Sequence, residues 1–148
     1  MAISQAMCTS FKVELLKGVH DFTNGTGDSF KLALFRATAS IVGTFGAGTT
    51  NYSDMGADQA SGTGYAAGGE ALTNVTPTSS GTTALTDFAD LTFSTVTITT
   101  SGCLIYNDTE GDKAVGVFSF GSDKAATAGD LTIIFPTADA SNAVIRLA

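Results

Sequence analysis

The residue types that carry most enzyme chemistry are scarce in this chain and poorly placed for it. There is one histidine, His20, followed directly by Asp21. An imidazole beside a carboxylate can act as a base toward a nucleophile. Triads assemble from distant residues, so spacing leaves that reading open, but no Gly-x-Ser-x-Gly elbow supports it. His20 reads instead as a residue at a helix end. Asp87 and Asp90 flank Phe88 as a pair of acids, yet turn-forming aspartates account for them without a hydrolytic cleft. Asp108-Thr109-Glu110-Gly111-Asp112 resembles the front of a calcium loop. An EF-hand needs a bidentate Glu at its twelfth position and flanking helices. Here the twelfth residue is Ser119 and strands are expected on both sides, so a solvated hairpin tip is the expectation. Cys8 and Cys103 lie in no Cys-x-x-Cys pattern and far from His20, which excludes zinc spacing and suggests two free, partly buried thiols. Gly25-Thr26-Gly27 and Gly62-Thr63-Gly64 lack the Gly-Lys-Ser/Thr of a phosphate loop. No catalytic, cofactor-binding or metal-binding residue is assigned, no cofactor is expected, and the chain is not expected to be an enzyme.

The frame around those residues is apolar and acidic. Of 148 residues, 43% are hydrophobic and 14% charged, which is too apolar and too weakly charged for a disordered chain. Seven basic residues stand against 14 acidic ones, a net charge of −7. That balance argues against nucleic acid and against an anionic membrane surface as partners. No apolar run reaches the length of a membrane-spanning helix. Met1-Ala2-Ile3-Ser4-Gln5 lacks the basic and apolar regions of a secretory signal, so synthesis in the cytosol is expected. Asn24, Asn51, Asn74 and Asn107 each begin an Asn-x-Ser/Thr triplet; in a threonine-rich chain without a signal these read as coincidence.

One domain over 1–148 is expected, with a helix over about 4–17. Ile3, Met7, Phe11 and Leu15 recur every four residues, Ser4 suits the N-cap and Gly18 the left-handed position after the last turn. A strand follows at 30–35. Residues 36–69 turn small, polar and glycine-rich and read as a long loop, with one short strand near Ile41-Val42; such a loop is usually functional or mobile. Further strands are expected at 70–76, ended by Pro77, and at 83–88, 91–93, 96–99, 103–106, 114–120, 131–135 and 142–147. The sum is an all-β jelly roll or β-sandwich of about eight or nine short strands with one N-terminal helix.

The order of several segments carries a resemblance. Ile3-Ser4-Gln5-Ala6-Met7-Cys8-Thr9-Ser10-Phe11-Lys12 leads into Glu14-Leu15-Leu16-Lys17-Gly18-Val19-His20-Asp21-Phe22. Phe30-Lys31-Leu32-Ala33-Leu34-Phe35, Ser61-Gly62-Thr63-Gly64-Tyr65-Ala66-Ala67-Gly68-Gly69, Leu104-Ile105-Tyr106-Asn107 and Phe135-Pro136-Thr137-Ala138-Asp139-Ala140 follow. This order resembles the capsid cement, or decoration, proteins of tailed bacteriophages, short-tailed phages among them. It covers most of the chain and is weakest over 38–58. The resemblance implies a jelly-roll protein on the outer surface of the icosahedral shell, present in the host cytoplasm before assembly. There it would lock neighbouring copies of the major capsid protein, often as a homodimer, without catalytic residues.

A protein that works by contact needs a contact surface. Two regions stand outside a minimal jelly roll: the helix, through Phe11 or Leu15, and the 36–69 loop, whose aromatic residues Phe45, Tyr52 and Tyr65 are the candidate partner-binding residues. A tail, baseplate or receptor-binding β-sandwich and a carbohydrate-binding module are the alternatives; the lack of Trp counts mildly against the second.

Overall fold

Apolar and polar residues alternate with a period of two through much of the chain, and a two-residue period sends successive side chains to opposite faces of a strand. In the computed structural model, which describes residues 2–148, the result is an all-β sandwich with one N-terminal helix. In chain order the elements are β1 (Ala2–Ile3), β2 (Ala6–Met7), α1 (Thr9–Leu16), β3 (Phe30–Arg36), β4 (Thr44–Phe45), β5 (Glu70–Ala71), β6 (Asn74–Ser80), β7 (Thr83–Phe88), β8 (Leu91–Asn107), β9 (Lys113–Ile133) and β10 (Ile145–Leu147). A five-stranded sheet runs β2-β9-β8-β3-β5, a three-stranded sheet runs β10-β7-β6, and β1 pairs in parallel with β4.

Aromatic packing fills the space between the sheets. Phe22 stacks on Phe30 with ring centres 4.3 Å apart, and Phe88 of the smaller sheet lies 5.7 Å from Phe30. Phe11 meets Phe22 edge-on at 6.0 Å. Edge-to-face and offset contacts of this kind add to the free energy of area burial. Residues 100–107 of β8 are buried throughout; Tyr52 of the 36–69 segment stacks on Tyr106, and the C-terminal segment, through Phe135 and Val144, lies beside Cys103 and Ile105.

Several expectations are corrected. The helix starts at Thr9, not at Ser4, and its N-cap is Cys8. The Ala2 and Ser4 N–H groups donate to the carbonyls of Gly43 and Phe45 at 3.1 and 2.9 Å, and Ala6–Met7 pair with β9; a spacing of four is even, so it also places residues on one face of a strand. The C-terminal signal does operate. Gly18 has φ +70°, and the N–H groups of Gly18 and Val19 donate to the carbonyls of Leu15 and Glu14, the paired bonds of a Schellman ending.

The expected strands at 91–93, 96–99 and 103–106 are one strand, β8, kinked by bulges between Phe93/Val96, Val96/Ile98 and Thr100/Gly102. The strand expected at 114–120 and residues 131–133 of the strand expected at 131–135 are likewise parts of β9, since Lys124, Ala125, Ala126 and Gly129 between them pair with β8; Ile134 and Phe135 lie beyond its end. Pro77 does not end a strand. It sits within β6, an edge strand, where the ladder is irregular between Val75 and Thr78 and its missing N–H costs nothing.

The 36–69 segment is not a free loop, and the short strand lies at β4 rather than at Ile41-Val42. Asp58, only 5% exposed, organises it. One carboxylate oxygen accepts from Arg36 Nε and Nη2 at 3.0 and 2.6 Å and from the Val42 N–H at 2.9 Å; the other accepts from the Gly43 N–H at 2.6 Å. Gly69 shows why this stretch is rich in glycine. Its φ is +75°, and a Cβ there would overlap the Leu32 carbonyl of β3. Gly62 abuts the Thr97 carbonyl of β8 in the same way.

Candidate functional site

His20 lies where the end of α1, the 21–28 turn and the end of β8 meet. Its side chain is fully buried. Nε2 is 2.8 Å from Glu14 Oε2 and Nδ1 is 2.9 Å from Asn107 Nδ2. The orientation of the Asn107 amide is fixed from outside, because Oδ1 accepts from the N–H groups of Thr109 and Glu110 and Nδ2 also donates to Asp28 Oδ2 at 2.8 Å. Nδ1 therefore accepts and Nε2 donates to the Glu14 carboxylate, a tautomer assigned by its partners. The network joins the helix end to the β8–β9 hairpin. It places the imidazole against Phe11 and Phe30, a setting for structural support rather than proton transfer to a substrate.

The other chemical candidates are also held in structural roles. Asp87 Oδ1 accepts from the Phe88 N–H and Oδ2 from the Val144 N–H, tying the C-terminal segment to β7; burial raises its carboxyl above the ordinary range, against the pull of those two bonds. Asp90 accepts from the Phe135 N–H. Asp108 pairs with Lys31 at 3.1 Å, and residues 108–112 form the turn joining β8 to β9. Both cysteines are buried and free. Burial pushes the Cys8 thiol up to about 11 and raises that of Cys103 further, so neither is an activated nucleophile.

The anticipated contact residues divide. Phe11 and Phe45 are core residues, 0% and 4% exposed, and Phe45 packs on Phe35 with ring centres 4.6 Å apart. Neither offers surface to a partner, which corrects the expectation for both. Tyr52 and Tyr65 are half-buried anchors of the 36–69 segment. Tyr65 Oη accepts from the Leu34 N–H at 2.9 Å, and burial raises its phenol to about 12. The Tyr52 hydroxyl donates to Gln59 Oε1, and its ring stacks on Tyr106 at 4.7 Å. Leu15 lines a shallow apolar groove of about 220 Å³ with Phe22 and Leu147.

A larger surface feature lies elsewhere, along β9. Its pairing with β2 ends at Val117. Among the described residues, no strand pairs with 118–133 on the side opposite β8. Asp123 is tied down, its carboxylate accepting from the Thr38 N–H and hydroxyl, but 124–133 beyond it is an open edge. The irregularities in the β8–β9 ladder curl the ribbon, as bulges do, and Ile133 and Ile134 line the same clefts as Phe120. Two adjoining clefts, of about 400 and 540 Å³, share these three residues; the first also takes in Phe118, Phe135 and Pro136. Ile134 is 77% exposed. An unpaired edge beside apolar side chains is a surface for adding a strand or a flat apolar contact.

Sequence reasoning did not single out this surface, although one signal was present. Ile133-Ile134-Phe135 is a run of consecutive apolar residues. In an extended chain, neighbours point to opposite faces, so a sandwich cannot bury them all on one side. Comparisons with protein-family models, with curated proteins and with solved structures find no match.

Proposed function

We propose that this protein is a structural virion protein, a capsid cement that binds the outside of an icosahedral phage shell and holds neighbouring copies of the major capsid protein together. The observation that carries the reading is the resemblance of ordered segments across most of the chain. The open edge of β9 with Phe120, Ile133 and Ile134 supports it, because it offers another protein backbone pairing and apolar area at one place. The net charge of −7 helps keep a protein with such a surface soluble before assembly. A cement works by mass action: it binds the assembled shell better than its parts and stabilises that state by the difference in affinity. Several modest contacts on neighbouring subunits add through effective concentration.

The test is to fractionate a lysate of the phage on a density gradient and to follow the protein by mass spectrometry through heads, tails and free protein. Enrichment in DNA-filled heads, tailless ones included, is the expected result. Enrichment in tails replaces the cement reading with a baseplate or receptor-binding role. Recovery only as free protein overturns both.

A further inference from the structure

We propose that Asn24–Gly25 is a built-in deamidation site, at which the folded protein converts asparagine to aspartate and isoaspartate without an enzyme. The inference concerns the chemistry of the turn and does not depend on the cement reading. In this reaction the backbone nitrogen of the following residue attacks the asparagine Cγ. A carbon–nitrogen bond forms, ammonia leaves, and the product is a five-membered succinimide. Water then opens either carbonyl of that ring, giving aspartate or isoaspartate. One water is consumed, one ammonia is released and one negative charge is gained. The step needs a small following residue, an unengaged side-chain amide, an available backbone nitrogen and freedom to close the ring.

Five asparagines allow the comparison within one molecule. Asn51 precedes Tyr52; its Nδ2 donates to the Gly111 carbonyl and its Oδ1 accepts from the Ser53 N–H. Asn74 precedes Val75, is buried and donates to the Asp28 carbonyl. Asn107 is fully buried and holds four partners. Asn142 donates to both carboxylate oxygens of Asp139.

Asn24 differs from all four in its following residue and its free amide, although Asn142 is also an exposed turn residue. Asn24 is exposed in a turn and followed by glycine. Among the hydrogen bonds of the described residues, none uses its side chain or the Gly25 N–H. Gly25 has φ +84° and open space around its Cα, so no side chain obstructs ring closure. The turn is nevertheless held at both ends. The Asp28 N–H donates to the Asp21 carbonyl at 2.7 Å, the Gly27 N–H to the Thr23 carbonyl at 2.9 Å, and the Asn24 N–H to Thr76 Oγ1 at 3.0 Å. Isoaspartate would insert an extra backbone carbon into this closed turn, and either product would place a third carboxylate between Asp21 and Asp28.

The test is to incubate the purified full-length protein in mildly alkaline buffer, native and in denaturant. Peptide mapping then follows the gain of one mass unit at each asparagine, and anion exchange follows the added charge. The expected result is that native Asn24 reacts nearly as fast as in the unfolded chain. It should outpace each of the other four native asparagines by about tenfold or more, a barrier difference of about 1.4 kcal/mol. Asn24→Gln should remove the more acidic species, because ring closure is then slower, and this variant leaves the Gly25 backbone unstrained. Strong protection of Asn24 on folding, or an equal native rate at another asparagine, would overturn the proposal.

Discussion

The 36–69 segment and the outer half of the β8–β9 ribbon invert what their compositions suggest. The first is small, polar and full of glycine, yet it is fastened to the sheet: Asp58 gathers Arg36, Val42 and Gly43, Gln59 Oε1 accepts from the Gly68 N–H at 2.8 Å, and Tyr65 takes up the Leu34 N–H. The second has strand alternation and Leu131, Ile133 and Ile134, yet it leaves an edge unpaired and an isoleucine in solvent. Glycine in the first is a requirement of close backbone approach, as at Gly69 and Gly62, rather than a source of motion. Order follows from which polar groups find partners and which surfaces are covered. A polar sequence can be the better-anchored one.

Breaking the Asp58 hub is the most severe way to collapse that difference. Asp58→Ala strips the partner from Arg36 and leaves the N–H groups of Val42 and Gly43 without an acceptor. Arg36 is 30% exposed and can turn to solvent, so the loss comes chiefly from the two backbone donors, at about 1–3 kcal/mol for each left unsatisfied; denaturant unfolding at neutral pH should show it, with 36–69 becoming protease-sensitive. The pH dependence has a definite sign. Burial works to raise the Asp58 carboxyl, but the Val42 and Gly43 N–H groups and Arg36 together hold it below the ordinary range. A lowered folded value means that its stabilisation is complete above the unfolded carboxylate value of about 4 and is lost as pH falls through the folded value. Asp58→Asn should therefore flatten part of the acid limb of stability against pH. The remainder stays with Asp21, Asp123 and Asp139, whose carboxyls are lowered by their own hydrogen bonds. An unchanged acid limb would remove Asp58 from this role.

A milder change tests the second anchor. Tyr65→Phe keeps the ring that packs on Phe93 and deletes only the oxygen that accepts from the Leu34 N–H. Leaving a backbone donor unsatisfied costs about 1–3 kcal/mol, and the exchange of the Leu34 amide should accelerate more than that of its neighbours on β3. Equal stability of Tyr65→Phe and the parent would mean that the ring, not the hydroxyl, anchors the segment.

Much of the fold was legible in the sequence, and the reason differs by element. The apolar pattern of β3 and of residues 103–106 depends on local periodicity, which a sequence displays directly. Gly18 ended the helix because the left-handed position is a local demand. The start of the helix was misplaced because distant pairing decides the state of the residues before it: Ala2–Ile3 pair with β4 and Ala6–Met7 with β9. The continuity of β8 and β9 was hidden for a similar reason: Lys124, Ala125, Ala126 and Gly129 have no strand signal of their own and are held in the ladder by Thr100, Thr99, Ile98 and Val96 of β8. Of the candidate contact residues, Phe11 and Phe45 lie in the core. Tyr52 and Tyr65 are aromatic in a polar stretch, and such residues are also the ones best able to anchor it, with a ring for packing and a hydroxyl for a polar partner. Asp58 carried no signal at all, since its partner Arg36 lies 22 residues away.

The smallest expected effect on stability belongs to the ribbon, and it separates the two regions most sharply. Ile134 is largely in solvent, so Ile134→Lys removes little burial and should change stability by no more than about 0.5 kcal/mol, as exposed substitutions do. If the apolar strip along β9 is where this protein meets the shell, the same variant should lose retention on stripped, DNA-filled heads, because a lysine would have to be desolvated against the partner. Phe120→Ser, changed at the shared wall of both clefts, should act in the same direction with a somewhat larger stability cost, since Phe120 is partly buried. Asp58→Asn should then reduce retention only to the extent that it unfolds the chain. Retention unchanged by Ile134→Lys and Phe120→Ser, with the folded state intact, would move the contact away from β9, and the groove at Leu15 and Leu147 would be the next surface to alter.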